Sequence, residues 1–218
     1  MKPPHKPRQG KRYWNMVRRI REDTKQVTAG FALFTVIVVP VFTLLFLTFD
    51  NPFLRTMSYM GNNGHRLVFL LWGILSATLL SLFAIRIYNG FAYQSIHSRR
   101  LMAFSYLFLI LTVIIPSLAE LPTLGNLHNL MAIAFVASIS LSLLFFLLYV
   151  RSLDRAIGNV SLSLYFMTLG VPLAFLFFFG HSGMYEIVFF VVISGFLFLL
   201  DRVILPRSPQ YRKNPPKK

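Results

Sequence analysis

Three pairs of an acid and a histidine stand in or beside three short polar stretches of an otherwise apolar chain. The residues of these stretches that could bind a ligand are Asp50, His65, Arg66, Glu120, His128, Asn129, His181 and Glu186. Carboxylates and imidazoles hold head groups, bind metal ions and transfer protons. We therefore treat these residues as one candidate polar cluster.

Three chemical interpretations of this cluster are open. The residues could form salt bridges and helix caps, they could form a site for a polar head group, or they could form a hydrolytic site. The hydrolytic interpretation would use His65, His128 and His181 with Glu120. No HxxxH, HExxH or HxH spacing is present, and no GxSxG, P-loop or GxGxxG pattern. We therefore predict no metal, no cofactor and no assigned catalytic residue, and we leave enzymatic activity open while favouring a non-enzyme.

The charges in the cluster predict specific partners. Asp50 and Glu120 follow apolar runs, where the negative end of a helix dipole disfavours an anion, and Arg66 precedes one, where the positive end disfavours a cation. A pair of Arg66 with Asp50 or Glu120 would offset both penalties. His128 is the other candidate partner of Glu120.

The elements that position these residues are six apolar runs. Hydrophobic residues make up 56% of the 218 positions and charged residues only 13%, against about 25% in soluble domains. Runs of about 20 apolar residues are long enough to cross a bilayer as helices. We predict an all-α polytopic membrane helix bundle with six transmembrane helices, at about 27–49, 67–88, 101–118, 128–150, 160–179 and 184–205.

The charge distribution predicts the orientation of these spans. All of the 22 Lys and Arg residues except Arg55 and Arg66 fall on the side that holds both ends of the chain. The positive-inside rule then places both termini in the cytoplasm and the candidate cluster on the outer side. The net charge of +15 lies in a basic arm (1–26, with a short amphipathic helix), a Pro-rich tail (206–218) and the loops on their side. We therefore predict anionic inner-leaflet lipid, and not nucleic acid, as the partner of these basic segments.

Polar residues inside the spans favour packing over transport. No ionisable side chain lies near the middle of a predicted span, which argues against a proton-driven transporter. Ala134, Ser138 and Ser142 recur every four residues and predict a face for close helix packing. Near the end of the sixth span, Asp201 and Arg202 are expected to pair or to extend toward the interface.

Three prolines predict where the bundle bends. Pro40, Pro116 and Pro172 fall in the first, third and fifth predicted spans, in the middle or outer half of each. A proline removes one helical hydrogen bond and bends or weakens the helix at that point. Three bends at similar depth would splay the outer half of the bundle around a cavity, and coincidence is the alternative.

Two short motifs resemble those of a known group of membrane proteins. Ser58 and Gly61, followed by Phe69, resemble the S-x-x-G, then F, start of the second span in a bacterial six-span family of unknown function. His128 with Ala132 resembles the start of its fourth span. That family is itself similar to the group of the FGF-receptor-activating protein, the autophagy modulators and the yeast Sfk protein. The resemblance implies six helices, a cell-membrane location that is prokaryotic here, and a lipid-related role.

The functional prediction follows from the bundle and its polar cluster. We expect an integral membrane protein that engages lipid head groups or a membrane-protein partner through the outer polar cluster. The alternatives are an outer-leaflet hydrolase and a transporter of an uncharged or lipid-like solute.

Overall fold

A computed structural model describes residues 30–117, 122–180 and 182–207, and this part of the chain is helical without strands. Six of its helices are long and apolar enough to cross a membrane, which confirms the predicted all-α six-span bundle. The seventh is the short helix α2. The helices are α1 (Gly30–Thr48), α2 (Met57–Asn62), α3 (Arg66–Gly90), α4 (Ile96–Ile114), α5 (Pro122–Leu153), α6 (Arg155–Phe179) and α7 (Gly183–Arg207, with a π-helical turn at Leu200–Ile204).

The helix boundaries follow from local capping chemistry. The Ser95 side chain accepts a hydrogen bond from the Ser98 N–H, so α4 begins earlier than predicted. The same helix ends at Ile114, because Pro116 forces the preceding residue, Ile115, into an extended conformation. The predicted bend at Pro116 is therefore wrong, since this proline lies beyond the helix and terminates it. Pro40 and Pro172 do lie inside helices.

The gap between the third and fourth predicted spans, 119–127, is helical in its described part, 122–127. Helix α5 begins at Pro122, because proline is well suited to the first helical position. His128 and Asn129, predicted at the start of the fourth span, thus lie about two turns into α5. Several predictions fall outside the described residues: the arm at 1–26 with its amphipathic helix, most of the tail at 206–218, and the positions Glu120 and His181.

Five of the long helices form a ring. Each of α3, α4, α5, α6 and α7 contacts the next, and α7 contacts α3 again. Helix α1 packs against α3, where Phe31 meets Phe83 and Phe46 meets Trp72 at ring-centroid distances of 6.4 and 5.6 Å. The short helix α2 lies against α3 and α7.

The two ends of the bundle are named by their contents. The Arg86 end holds the start of α1, the α3–α4 and α5–α6 connections and the end of α7; the α2 end holds the other connections. At the Arg86 end, Asp201 accepts from Arg86 at 3.3 Å and from Arg202 at 3.1 Å, so the predicted Asp201–Arg202 pair forms. Residue 30, at the start of the first described helix, and residue 207, at the end of the last, both lie at the Arg86 end.

Hydroxyl groups close the Arg86 half of the ring. Ser142 donates to the Ser98 carbonyl oxygen at 2.7 Å, so the Tyr88 hydroxyl is the donor in its 2.8 Å contact with Ser142 Oγ. Tyr93 Oη lies 2.6 Å from Ser98 Oγ. Phe146 packs among these tyrosines and is fully buried. Ser142 belongs to the predicted small-residue face, and its contacts are with the neighbouring helices α3 and α4.

Candidate functional site

A cavity of about 450 Å³ lies inside the ring at the α2 end. The five ring helices form its walls, and α2 covers it at the end of the bundle. Its walls are mostly aliphatic and aromatic. Five of the aromatic side chains contact one another through edge and stacked arrangements: Phe69, Trp72, Phe135, Phe189 and Phe190.

A few polar side chains reach this apolar cavity. They are Ser58 from α2, Thr112 from α4, His128 and Ser140 from α5, and Tyr185 and Glu186 from α7. A mostly apolar pocket with a small number of polar groups is the usual form of a small-molecule site. Because the polar groups come from four helices, only the assembled bundle brings them together.

Glu186 is the acid of the cavity. It lies in the first turn of α7, and its Oε2 accepts the Met57 N–H at the start of α2 at 2.7 Å. Its Oε1 is 3.4 Å from the Tyr185 hydroxyl. Both helix starts present partial positive charge to the carboxylate. Within the described residues no Lys or Arg forms an ion pair with Glu186.

Helix α2 is held over the cavity by the turn that leads into α7. The Gly183 N–H donates to the Arg55 carbonyl oxygen at 2.8 Å, and the Met184 N–H donates to that of Pro52 at 3.0 Å. A Cβ atom at position 183 would lie 2.6 Å from the Arg55 oxygen. This close backbone contact therefore requires glycine. Together with the Glu186–Met57 bond, it fixes the cover to α7.

His128 joins the cavity wall to the end of α4. Its side chain is buried, and its Nδ1 lies 2.9 Å from the Ile115 carbonyl oxygen. A carbonyl oxygen can only accept, so Nδ1 carries the proton in this contact. The contact bridges the beginning of α5 and the end of α4, and it fixes the imidazole at the cavity wall.

The cavity opens sideways between α5 and α6. Ile133 on α5 and Leu173 on α6 both line the cavity, yet they are 67% and 61% exposed. A side chain can both line the cavity and be exposed at the outer surface only where the cavity wall is open. Leu173 lies six residues before the end of α6, about 9 Å along the helix, so the opening lies within the apolar span.

Pro172 lies at the edge of this opening. It is buried against the cavity inside α6 and has no N–H to donate to the Thr168 carbonyl oxygen. The α6 residues beyond it, Phe177 and Phe178 among them, are largely exposed. One of the three predicted proline positions is thus part of the cavity. Neither Pro40 nor Pro116 is among its lining residues.

The other candidate residues that the structure describes lie outside the cavity. Asp50 is exposed and accepts the Asn51 N–H, and Asn129 is exposed on α5. His65 stacks on Phe49 with 3.8 Å between ring centroids, where α1 and α3 meet. The candidate cluster is therefore not one site: among the described members, only His128 and Glu186 line the cavity.

Arg66 has partners other than the predicted acid. Its guanidinium donates to Asn62 Oδ1 at 2.7 Å and to the Ile114 carbonyl oxygen at 2.5 Å, and no ion pair with Asp50 forms. The end of α4 supplies the negative charge instead, because the last carbonyls of a helix lack partners within it. The predicted partner Glu120 lies outside the described residues, as does His181.

The hydrolytic interpretation gains no metal site from this arrangement. Within the described ranges, no three His, Cys, Asp or Glu side chains form a group that could hold a metal ion. His65 and His128 lie in different surroundings, the first against Phe49 and the second at the cavity wall.

Several lining residues were not candidates from the sequence. Tyr185 adjoins Glu186, and Ser140 lies two positions after Ser138, but neither has a spacing that distinguishes it. The apolar lining residues cannot be told from lipid-facing residues, since both are aliphatic or aromatic. Only adjacency to Glu186 could have drawn attention to Tyr185.

The chain matches no protein-family model, no curated protein and no solved structure. The function proposed below therefore depends on the geometry and chemistry of the cavity.

Proposed function

We propose that this integral membrane protein binds a single-chain amphipathic molecule that enters from the bilayer between α5 and α6. The apolar part of the ligand lies along the aromatic walls, and its polar end lies near Glu186 and His128. The lateral opening carries this proposal, because exposed Ile133 and Leu173 join the cavity to the hydrocarbon region. A molecule dissolved in the membrane then reaches the site without crossing water.

The size and chemistry of the cavity support an amphipathic ligand. Its volume of about 450 Å³ lies within the roughly 300–1,000 Å³ of small-molecule sites. Three of its polar side chains, Ser58, Tyr185 and Glu186, lie together on or beside the cover. A ligand with one polar end and one apolar chain matches this division.

We further propose that the α2 end faces the outer side and that both termini are cytoplasmic. In the described residues, Arg55 and Arg66 are the two cations of the α2 end, whereas seven arginines belong to the Arg86 end or its connections. Cytoplasmic loops carry such an excess of Lys and Arg. The cavity then lies at the depth of the outer leaflet, and the basic segments at the other side meet anionic lipid.

Trp72 provides a direct test, since it lines the cavity and is only 3% exposed. The chain has two tryptophans, so Trp14→Phe leaves Trp72 as the sole tryptophan, which can be excited selectively. In lipid nanodiscs, single-chain amphiphiles with brominated tails and different head groups are titrated at low mole fraction. We expect saturable quenching of Trp72 by at least one of them, because a bound tail lies against the indole ring.

A matched pair of variants assigns the quenching to the cavity. Ala132→Phe fills part of the cavity and is expected to remove the saturable component. Ala103→Phe makes the same change at an exposed position of α4 outside the cavity and should leave it unchanged. Absence of saturable quenching by every probe, or its persistence in Ala132→Phe at full strength, would contradict the proposed function.

A further inference from the structure

We infer that the polar end of the ligand is an ammonium group, so that the site takes a lipophilic amine. This inference rests on the proposed function and identifies the chemical class of its ligand. It begins from the charges of the cavity: Glu186 is its carboxylate, and no Lys or Arg is among its lining residues. Apart from the titratable imidazole of His128, the lining thus holds no side chain that could carry a positive charge opposite this carboxylate.

Glu186 has capacity for a further donor. An ionised carboxylate has about four acceptor positions. Its one short described bond is the Met57 N–H at 2.7 Å, and the Tyr185 hydroxyl at 3.4 Å is longer than the roughly 2.5–3.0 Å of a good O–H···O bond. Because these partners are neutral, the negative charge has only partial compensation. An ammonium group would supply three donors and a full positive charge.

A neighbouring hydroxyl suits the same head group. Ser58 follows Met57, whose N–H Glu186 accepts, and it lines the cavity, so its hydroxyl can accept from a cation that donates to Glu186. The Ser58 hydroxyl lies 3.0 Å from the Thr56 hydroxyl and retains acceptor capacity. A carboxylate head group would instead place two anions together among apolar walls, which costs free energy.

The cavity disfavours a phosphate beside the amine. Arg66, the cation at the start of α3, is engaged by Asn62 and by the Ile114 carbonyl oxygen. A phosphate drawn into the cavity would therefore lie near Glu186 without a Lys or Arg in the lining. The ammonium can come from a free alkylamine or from an aminophospholipid head group, and the charge distribution favours the free amine.

A purely structural role for Glu186 makes a different prediction. The carboxylate fastens the start of α2 to α7, so its loss could loosen the cover and weaken the binding of every ligand alike. A site for ammonium predicts a selective loss. The ratio of affinities for charged and neutral probes separates these two roles.

The experiment measures Trp72 quenching in phosphatidylcholine nanodiscs with three probes that share one brominated tail. The probes carry an ammonium, a hydroxyl or a carboxylate head group. We expect the ammonium probe to bind about tenfold more tightly than the alcohol, because hydrogen bonds between ionised partners are about twice as strong as neutral ones. The carboxylate probe is expected to bind weakest.

Glu186→Gln tests the assignment, since glutamine keeps an oxygen that can accept the Met57 N–H. This variant should lower the affinity for the ammonium probe to that for the alcohol and leave the alcohol unchanged. Asp50→Asn is the matched control, because Asp50 is exposed and lies outside the cavity. It should leave the affinities of all three probes unchanged. If Glu186→Gln fails to fold, the ratio of ammonium to alcohol affinity in the unchanged chain still tests the inference. A ratio near one overturns it.

The outcomes distinguish the inference from the proposed function. Equal saturable binding of alcohol and ammonium, or an equal loss of both in Glu186→Gln, overturns the inference and leaves the amphiphile site intact. No saturable binding by any probe overturns the proposed function as well. A fourth probe, a brominated phosphatidylethanolamine, distinguishes a free alkylamine from an aminophospholipid as the source of the ammonium. Weaker binding than that of the alkylammonium probe supports the free amine, and equal binding supports a lipid amine.

Discussion

The two halves of the same helix ring differ in how they are filled. In the Arg86 half, tyrosine and serine hydroxyls bond across α3, α4 and α5 around the fully buried Phe146. In the α2 half, the same helices surround a cavity of about 450 Å³ that opens between α5 and α6. Both halves are built from apolar helices of similar composition, so composition does not decide which half closes.

The connection between α5 and α6 explains part of the difference. Asp154 is the single residue between these helices, and it caps α6 by accepting the Ile157 N–H. At this turn a Cβ on Gly158 would lie 2.2 Å from Arg151 Cα, so the backbones touch. Toward the α2 end the helices have no such constraint, and Pro172 interrupts the hydrogen bonds of α6. Two helices that are held together at one end, one of them interrupted by Pro172 nearer the other end, leave a gap on the apolar surface of the bundle.

The largest expected effect comes from the same deletion made in each half. Phe146→Ala removes a fully buried ring and should lower the free energy of unfolding by about 3–5 kcal/mol. Phe189→Ala removes a ring that already borders the cavity, so we expect less than half of that loss. Reversible unfolding in mixed micelles measures both. Equal losses would show that the two halves are packed alike.

A smaller effect is expected at the backbone contact that holds the cover. Gly183→Ala places a Cβ 2.6 Å from the Arg55 carbonyl oxygen, and such overpacking costs about 1–3 kcal/mol. Hydrogen exchange of the α2 amides should accelerate while that of the Arg86 half stays unchanged. Gly195→Ala is the matched control, since a Cβ there meets nothing within 4 Å. Unchanged exchange of α2 in Gly183→Ala would exclude this contact as its anchor.

The smallest effect is expected from the proline at the opening. Pro172→Ala restores the donor to the Thr168 carbonyl oxygen, so α6 should straighten and approach α5 by a few ångströms. The chain has no cysteine, so spin labels at Ile133→Cys and Leu173→Cys report this distance without background. Pro40→Ala on α1, outside the cavity, should leave it unchanged. A gap of the same width in both variants would assign the opening to the α5–α6 turn alone.

The sequence predicted the number and approximate position of the spans because a bilayer imposes a length and an apolar composition on each. It located the ends less well. Ser95 and Pro122 extended α4 and α5 beyond their predicted starts, and Pro116 ended α4 early. Capping hydrogen bonds form between residues close in sequence. Several residue types can form them, however, so packing decides at which of several neighbouring positions a helix begins or ends.

The candidate site was only partly predictable. The pairing of an acid and a histidine at each connection singled out His128 and Glu186, which line the cavity, together with Asp50, His65 and Asn129, which do not. Charge at helix ends indicated that Arg66 needs a negative partner, but a carbonyl oxygen of α4 takes that role. Polar residues look alike in sequence whether they cap a helix or face a ligand.

The sequence alone determined that this chain is a six-span helical membrane protein, because the exclusion of backbone polar groups from hydrocarbon leaves apolar helices few alternatives. It also determined where the charges lie along the chain. The tertiary structure decided which helices touch, which half of the ring closes and which of the candidate polar side chains share a cavity. Those outcomes depend on contacts between residues distant in sequence, such as Met57 with Glu186, and apolar periodicity does not encode them when lipid and protein interior are equally apolar.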